Sequence, residues 1–244
     1  MMLPLLPTKG LWARGNDYYE NVGGAVAFAS LLGCDSIVLL GTVECTPAKL
    51  SAAFAAGLKV WVYRGPDSWL PSNWRETRDA LKAICASDPR IAGYVANVER
   101  INAAPDAADQ RDCWGKAPVS EVLALGNALN EDSQTLSVGF ASFPAWTYYR
   151  TIGKAAPHVW GSPELYGLSL PPPSISNLLS WGERWREALT GGYVPSLAAW
   201  KRNAVEQQAY LNGLKSLPAC IFWHEKPIPS GLILDAIRDF KPGT

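Results

Sequence analysis

IAGYVANVERI, residues 91–101, begins as an apolar run and then places an asparagine and a glutamate two positions apart. Side chains alternate along a strand, so Asn97 and Glu99 share one face while Tyr94 and Val98 take the other. The stretch either delivers a carboxylate to a site or simply ends where water begins. What lies on both sides of it decides between the two.

Short apolar runs alternate with helical patterns along the whole chain. GLWARG (10–15) precedes a helical pattern in VGGAVAFASLL, and SIVLLG (36–41) precedes TPAKLSAAFAAG, where Thr46 caps and Pro47 takes the first helical position. KVWVYRG (59–65) leads to a helix from Asn73, whose spacing to Glu76 matches a capping box. After the stretch at 91–99 come the helix VSEVLALGNALN, the strand TLSVGFAS (135–142), a turn or short helix at AWTYYRTIG, and a sixth strand in HVWGSPELYG. SISNLLSWGERWREAL carries an apolar face through Ile175, Leu178, Leu179, Trp185 and Leu189. YVPSLAAW (193–200), interrupted by Pro195, ACIFWHEK (219–226) and the closing helix GLILDAIRDF complete the series.

Eight strand-like runs separated by helices predict an α/β fold, a single (β/α)8 barrel over 1–244, irregular at strands two and seven. A doubly wound sheet would use fewer strands and a glycine-rich first turn, and GNDYYENVGG lacks the GxGxxG spacing. In such a barrel the carboxyl ends of the strands and the loops after them form the functional mouth. The opening stretch therefore reads as the fourth strand, with Glu99 at the mouth.

Composition narrows the function. The 244 residues carry 22 Lys plus Arg and 22 Asp plus Glu, so there is no electrostatic case for nucleic acid. No stretch reaches the roughly 18 apolar residues of a membrane span. MMLPLLPTKG lacks a basic leader and a long apolar core, so no signal peptide is expected, and the protein is placed in the cytoplasm or in a phage particle. The five cysteines are scattered and read as buried thiols. No close ligand cluster specifies a metal, and nothing calls for a cofactor.

The mouth collects Arg14 and Asp17 after strand one, Glu44 after strand two, Tyr63 and Arg64 after strand three, and Asn97 and Glu99 at the end of strand four. Phe143, Trp146, Glu164, Tyr166, Trp200, Trp223, His224 and Glu225 follow the later strands. Partial burial raises a carboxyl pKa and keeps a proton available, which makes Glu99 the candidate general acid/base. The structural alternative is a rim salt bridge from Glu99 to Arg100 or Arg64. Glycoside cleavage takes two carboxylates, about 5 Å apart for retention and roughly 6.5–9.5 Å for inversion, and Glu164 and Glu225 are the candidate partners. Tyr166 shares the parity of Glu164 and is placed to orient it.

Eleven tryptophans are many for this length. Indole faces stack on the C–H faces of sugars, and the ring N–H donates a hydrogen bond. Trp114, Trp146, Trp200 and Trp223 are the candidate saccharide contacts, with Arg14, Tyr63, Asn97 and Tyr166 as polar ones. Trp114 lies in the long loop after strand four, where it is expected to fold over a ligand, whereas Trp61 and Trp185 are expected to pack the structure.

On GYVANVE, YVPSLAAW and IFWHEK the chain resembles glycoside-hydrolase barrels of the lysozyme- and chitinase-like families 25 and 18, including related domains of phage particles and lysins. The resemblance implies a fourth-strand D-x-E motif, with Asn97 at the aspartate position and Glu99 at the glutamate position. It implies cleavage of a polysaccharide or cell-wall glycan, with a poly- or oligosaccharide as partner; the oligomeric state is not set by the sequence. Asn97 keeps hydrogen bonding but carries no charge, so the implied role of the aspartate in orienting an acetamido group is altered. Two other readings stay open. One is a non-catalytic carbohydrate-binding or structural barrel of a phage-like particle. The other is a sugar-phosphate enzyme, against which AAWKRN and WHEKP lack glycine-rich phosphate nests.

Overall fold

Runs rich in Val, Ile and Trp form the strands, and segments rich in Ala and Leu form the helices between them. The computed structural model describes residues 5–13, 19, 23–41, 45–98, 113–142, 148–165, 174–198, 204–223 and 231–243. In chain order these contain β1 (Lys9–Trp12), α1 (Ala25–Leu31), β2 (Ser36–Leu40), α2 (Pro47–Ala55), β3 (Lys59–Tyr63), α3 (Trp74–Ser87), β4 (Ile91–Asn97) and α4 (Val119–Asp132). There follow β5 (Ser137–Ser142), α5 (Tyr148–Ala155), β6 (Trp160–Pro163), α6 (Ile175–Ala188), β7 (Ser196–Ala198), α7 (Ala204–Leu214), β8 (Cys220–Trp223) and α8 (Leu232–Asp239).

All strand pairs are parallel, in the order β6-β5-β4-β3-β2-β1-β8-β7. The ends of that order meet. Bridges Gly161–Tyr193 and Glu164–Ser196 join β6 to the β7 segment, and Val194 N–H donates to Gly161 O at 2.9 Å. The sheet is thus a (β/α)8 barrel whose weakest seam lies between β6 and β7. Irregularity falls at the three-residue β7 and at a register shift beside Val60 and Trp61, while β2 pairs evenly on both sides. Pro195 interrupts β7 because it has no N–H to give, although its carbonyl still accepts from Ile221 N–H at 2.9 Å.

Local signals explain several boundaries. Thr46 Oγ1 accepts from Lys49 N–H at 3.3 Å, and Pro47 opens α2. Asn73 precedes α3 but does not cap it, because its Oδ1 accepts from Leu70 N–H at 2.8 Å in the preceding turn. That local bond competes with the expected capping box and wins.

Alternation sorts the strands into two cores. Leu11, Leu39, Val62, Tyr94, Phe140 and Phe222 face outward beneath the helices, while Trp12, Val38, Trp61, Val95, Trp160 and Ile221 fill the barrel. The inner face makes room for its indoles with glycine: a side chain at Gly139 would collide with the Trp160 ring. Outside, Asp132 pins β4 to α3 and α4. Its carboxylate accepts from Tyr94 Oη at 2.6 Å, Arg78 Nε at 2.6 Å and Lys82 Nζ at 2.7 Å. Beneath α8, the buried Lys9 Nζ donates to Ile237 O at 2.7 Å and Arg238 O at 2.8 Å, satisfying carbonyls of the last helical turn.

All five cysteines are free thiols, and burial pushes Cys34 and Cys85 up to about 12 and Cys220 higher still. Among the described residues no helix is long and apolar enough to cross a membrane, and no group of His, Cys, Asp and Glu is placed to hold a metal ion.

Candidate functional site

The barrel interior is built in layers, and they differ in how their polar atoms are used. In the lower layer the Ser137 hydroxyl accepts from Trp61 Nε1 and Trp160 Nε1, each at 3.1 Å, and donates to Leu5 O. One donor and two acceptor sites are all that a hydroxyl has, so this layer is fully satisfied. Trp61 and Trp160 meet edge to face with centroids 6.3 Å apart. Above them Trp12 Nε1 donates to Ser196 Oγ at 2.9 Å, and Ser196 Oγ shares a hydrogen bond of 2.9 Å with Ser162 Oγ.

Trp12 also organises the aromatic floor of the mouth. Its ring lies edge-on to Tyr63 at 4.8 Å and to Trp223 at 6.5 Å. Tyr63 Oη donates to Ala13 O at 3.1 Å, which fixes the phenol. Of the anticipated contacts, Tyr63 and Trp223 therefore converge. Trp12 escaped notice in the sequence, although its alternation with Gly10 on β1 places it on the same inner face.

Toward the mouth the pattern changes. Alternation from Val95 carries Asn97 inward, where it is 3 % exposed, and its Oδ1 has no hydrogen-bond partner among the described residues. One residue past β3, the Nε of Arg64 is likewise buried without a partner among them. A buried polar atom left unpaired costs about 1–3 kcal/mol, so such positions call for a reason.

Glu164 continues the inner parity of Trp160 and Ser162 and is 6 % exposed, at the bridge to Ser196 that closes the barrel. It is a buried seam residue. Its N–H donates to Ser142 O at 3.1 Å. β5 lies between β4 and β6, with Asn97 opposite Ala141 and Ala141 opposite Ser162. With strands about 4.8 Å apart, the ends of β4 and β6 stand roughly 10 Å from each other along the barrel wall.

Trp114 is elsewhere. It is 2 % exposed, packed outside the barrel with its Nε1 donating to Trp69 O at 2.6 Å, and Trp69 in turn stacks on Tyr94. The expectation that Trp114 folds over a ligand gives way to a packing role, because its N–H is already committed and its faces are covered. Trp61 and Trp185 pack as expected, Trp185 being stacked between Phe140 and Tyr149. Glu99, Glu225, Arg14, Trp146, Tyr166 and Trp200 lie outside the described residues, as do Asp17, Glu44, Phe143 and His224.

No family model matches the chain, and a search of curated proteins found no relative. Solved structures do match. A GH18 chitinase from Pseudoalteromonas aurantia aligns over 89% of this chain and 94% of its own at 13% identity, with a TM-score of 0.61. An endo-beta-N-acetylglucosaminidase from Cordyceps militaris aligns over 96% of this chain and 89% of its own at 13% identity, with a TM-score of 0.57. A beta-glucuronidase from Bacteroides uniformis gives a TM-score of 0.58 at 14% identity over 95% of this chain, which spans 31% of that longer protein. At such identities the likeness is one of fold: the chain is a (β/α)8 TIM barrel, the architecture these glycosidases share.

Proposed function

We propose that the protein is a glycoside hydrolase acting on a polysaccharide, such as a cell-wall glycan, with Glu99 as general acid/base and Glu164 or Glu225 as the second carboxylate. The observation that carries this reading is Asn97, buried and inward-facing at the end of β4 with its amide oxygen unpaired among the described residues. A ligand N–H, such as that of an acetamido group, would satisfy the Asn97 oxygen, and a ligand hydroxyl would satisfy Arg64 Nε. Trp223, partly exposed and backed by the buried Trp12 and Tyr63, supplies an apolar face suited to the C–H face of a sugar ring. Glu164, buried two strands along the same inner surface, would meet a substrate from beside Asn97 in this reading.

Chemistry divides between the strands in this reading. Glu99 protonates the leaving oxygen, and the second acid attacks carbon or activates water, according to its distance. Asn97 orients the substrate without adding charge. The fold neighbours fit, since the chitinase and the endo-beta-N-acetylglucosaminidase are named for action on amino-sugar polymers. The test is Glu99→Gln assayed on soluble cell-wall glycan and chitooligosaccharides. Cleavage is expected to fall about 10²–10⁴-fold with saccharide binding retained. Undiminished cleavage removes Glu99 from the mechanism.

The neutral Asn97 also favours a second reading, a barrel that binds saccharide without cutting it. That version predicts measurable glycan affinity in the wild-type protein and no turnover under any condition.

A further inference from the structure

Resting on the hydrolase reading above, we propose that Tyr148 is a positioning residue that, with Ser142, sets the spacing between the ends of β4 and β6 and hence between Glu99 and Glu164. Tyr148 stands at the start of α5, and its hydroxyl lies 3.3 Å from Val98 O and 3.1 Å from Ser142 Oγ. Proton bookkeeping gives one consistent arrangement: Tyr148 donates to the Val98 carbonyl, and Ser142 donates to the Tyr148 oxygen. The Val98 carbonyl belongs to the peptide whose nitrogen is that of Glu99. The Ser142 carbonyl accepts from the N–H of Glu164 at 3.1 Å. Two hydroxyls on the outer side of the sheet thus link the backbones that carry both candidate acids, across the strand that separates them.

The place is one where regular pairing runs out. β4 ends at Asn97 and β5 at Ser142, and Val98 N–H makes one further bond to Ala141 O at 2.9 Å. At that last described rung, the Tyr148 hydroxyl holds the Val98 carbonyl. Val98, Ser142 and Tyr148 are all buried, so a phenylalanine would supply the same packing without a hydroxyl to satisfy. A matching device stands on the far side of Glu164: Tyr210 Oη donates to Leu165 O at 2.8 Å and accepts from Ala198 N–H at 3.1 Å. The β6 end is therefore tied to the β7 side by the Tyr210 hydroxyl and to β5 by the Glu164 N–H bond to Ser142 O.

The experiment compares Tyr148→Phe and Ser142→Ala with Thr190→Ala, which removes a hydroxyl hydrogen bond of 3.0 Å to Pro157 O at the opposite end of the barrel. Amide hydrogen exchange of Val98 and Glu164 is measured first, and needs no substrate. The proposal expects exchange at both amides to rise about tenfold in the first two proteins and to stay unchanged in the third. Cleavage is measured next: kcat is expected to fall about tenfold with KM held, and the two limbs of the pH–rate profile to move relative to each other as the acids change their mutual distance. Unchanged exchange at Val98 and Glu164 overturns the strut, whatever the activity. Faster exchange with an unaltered kcat and pH profile overturns the spacing role. Faster exchange in a protein whose wild type cleaves no glycan overturns the hydrolase reading, and the spacing role with it, while the hydrogen-bonded link itself stands.

Discussion

The base and the mouth of the barrel use polar groups in opposite ways. At the base, Ser137 spends every hydrogen-bonding site it has on two indoles and a backbone carbonyl. At the mouth, Asn97 Oδ1 and Arg64 Nε are buried and unpaired among the described residues. Orphaned atoms are not confined to the mouth, since Trp69 Nε1 and Trp185 Nε1 outside the barrel are also unpaired among the described residues; what sets Asn97 apart is its inward place at the end of β4. A closed network serves folding; on the function proposed above, the open groups at the mouth are kept for a ligand.

Outside the barrel, the Asp132 network offers the largest expected stability effect and a reference for what full satisfaction is worth. Burial raises the Asp132 carboxyl, but hydrogen bonds from Arg78, Lys82 and Tyr94 outweigh it and leave the group below its usual range. Asp132→Ala leaves the Arg78 guanidinium half-buried without its main partner and is expected to cost about 3–5 kcal/mol in denaturant unfolding. The sign of the pH effect follows from the lowered value. The contribution is fully present above the unfolded carboxyl's pKa of about 4 and is lost as pH falls below it through the folded value. Wild type should therefore lose stability on acidification faster than Asp132→Ala. Parallel pH curves would show that Asp132 is not the group responsible.

Closer to the comparison, Gly139→Ala pushes a methyl group into the Trp160 ring and should destabilise the base by about 1–3 kcal/mol without touching the mouth. Saccharide affinity that fell with it would break the separation of the two regions. Ser137→Ala strands two buried indole N–H groups and should cost about 1–3 kcal/mol. Asn97→Leu is the counterpart at the mouth: it removes an amide whose oxygen is already unpaired, so stability should change by less than about 1 kcal/mol while glycan affinity falls. Equal losses from Ser137→Ala and Asn97→Leu, read by thermal unfolding, would mean that Asn97 is structural after all.

Much of this barrel was legible in residue order. Eight runs with the right spacing announced the strands, and parity placed Tyr94 outside and Asn97 on the opposite face. Trp114 shows where such reading stops: a tryptophan in a long loop looks the same whether it waits for a sugar or lies sealed against Trp69. Asn73 shows it again, since its capping spacing is intact while its side chain bonds to the turn before it.

The sequence by itself determined the alternation of strand and helix, and hence which residues reach the inner face of β4, because periodicity is a local property of the backbone. Only the tertiary structure decided which of those residues were already satisfied. Trp12, Ser162 and Ser196 find one another across the barrel, as do Trp61, Ser137 and Trp160, and no spacing along the chain encodes those meetings. A hydrogen bond is made or missed according to distances of a few tenths of an ångström, and those are set when the β6–β7 seam closes the barrel.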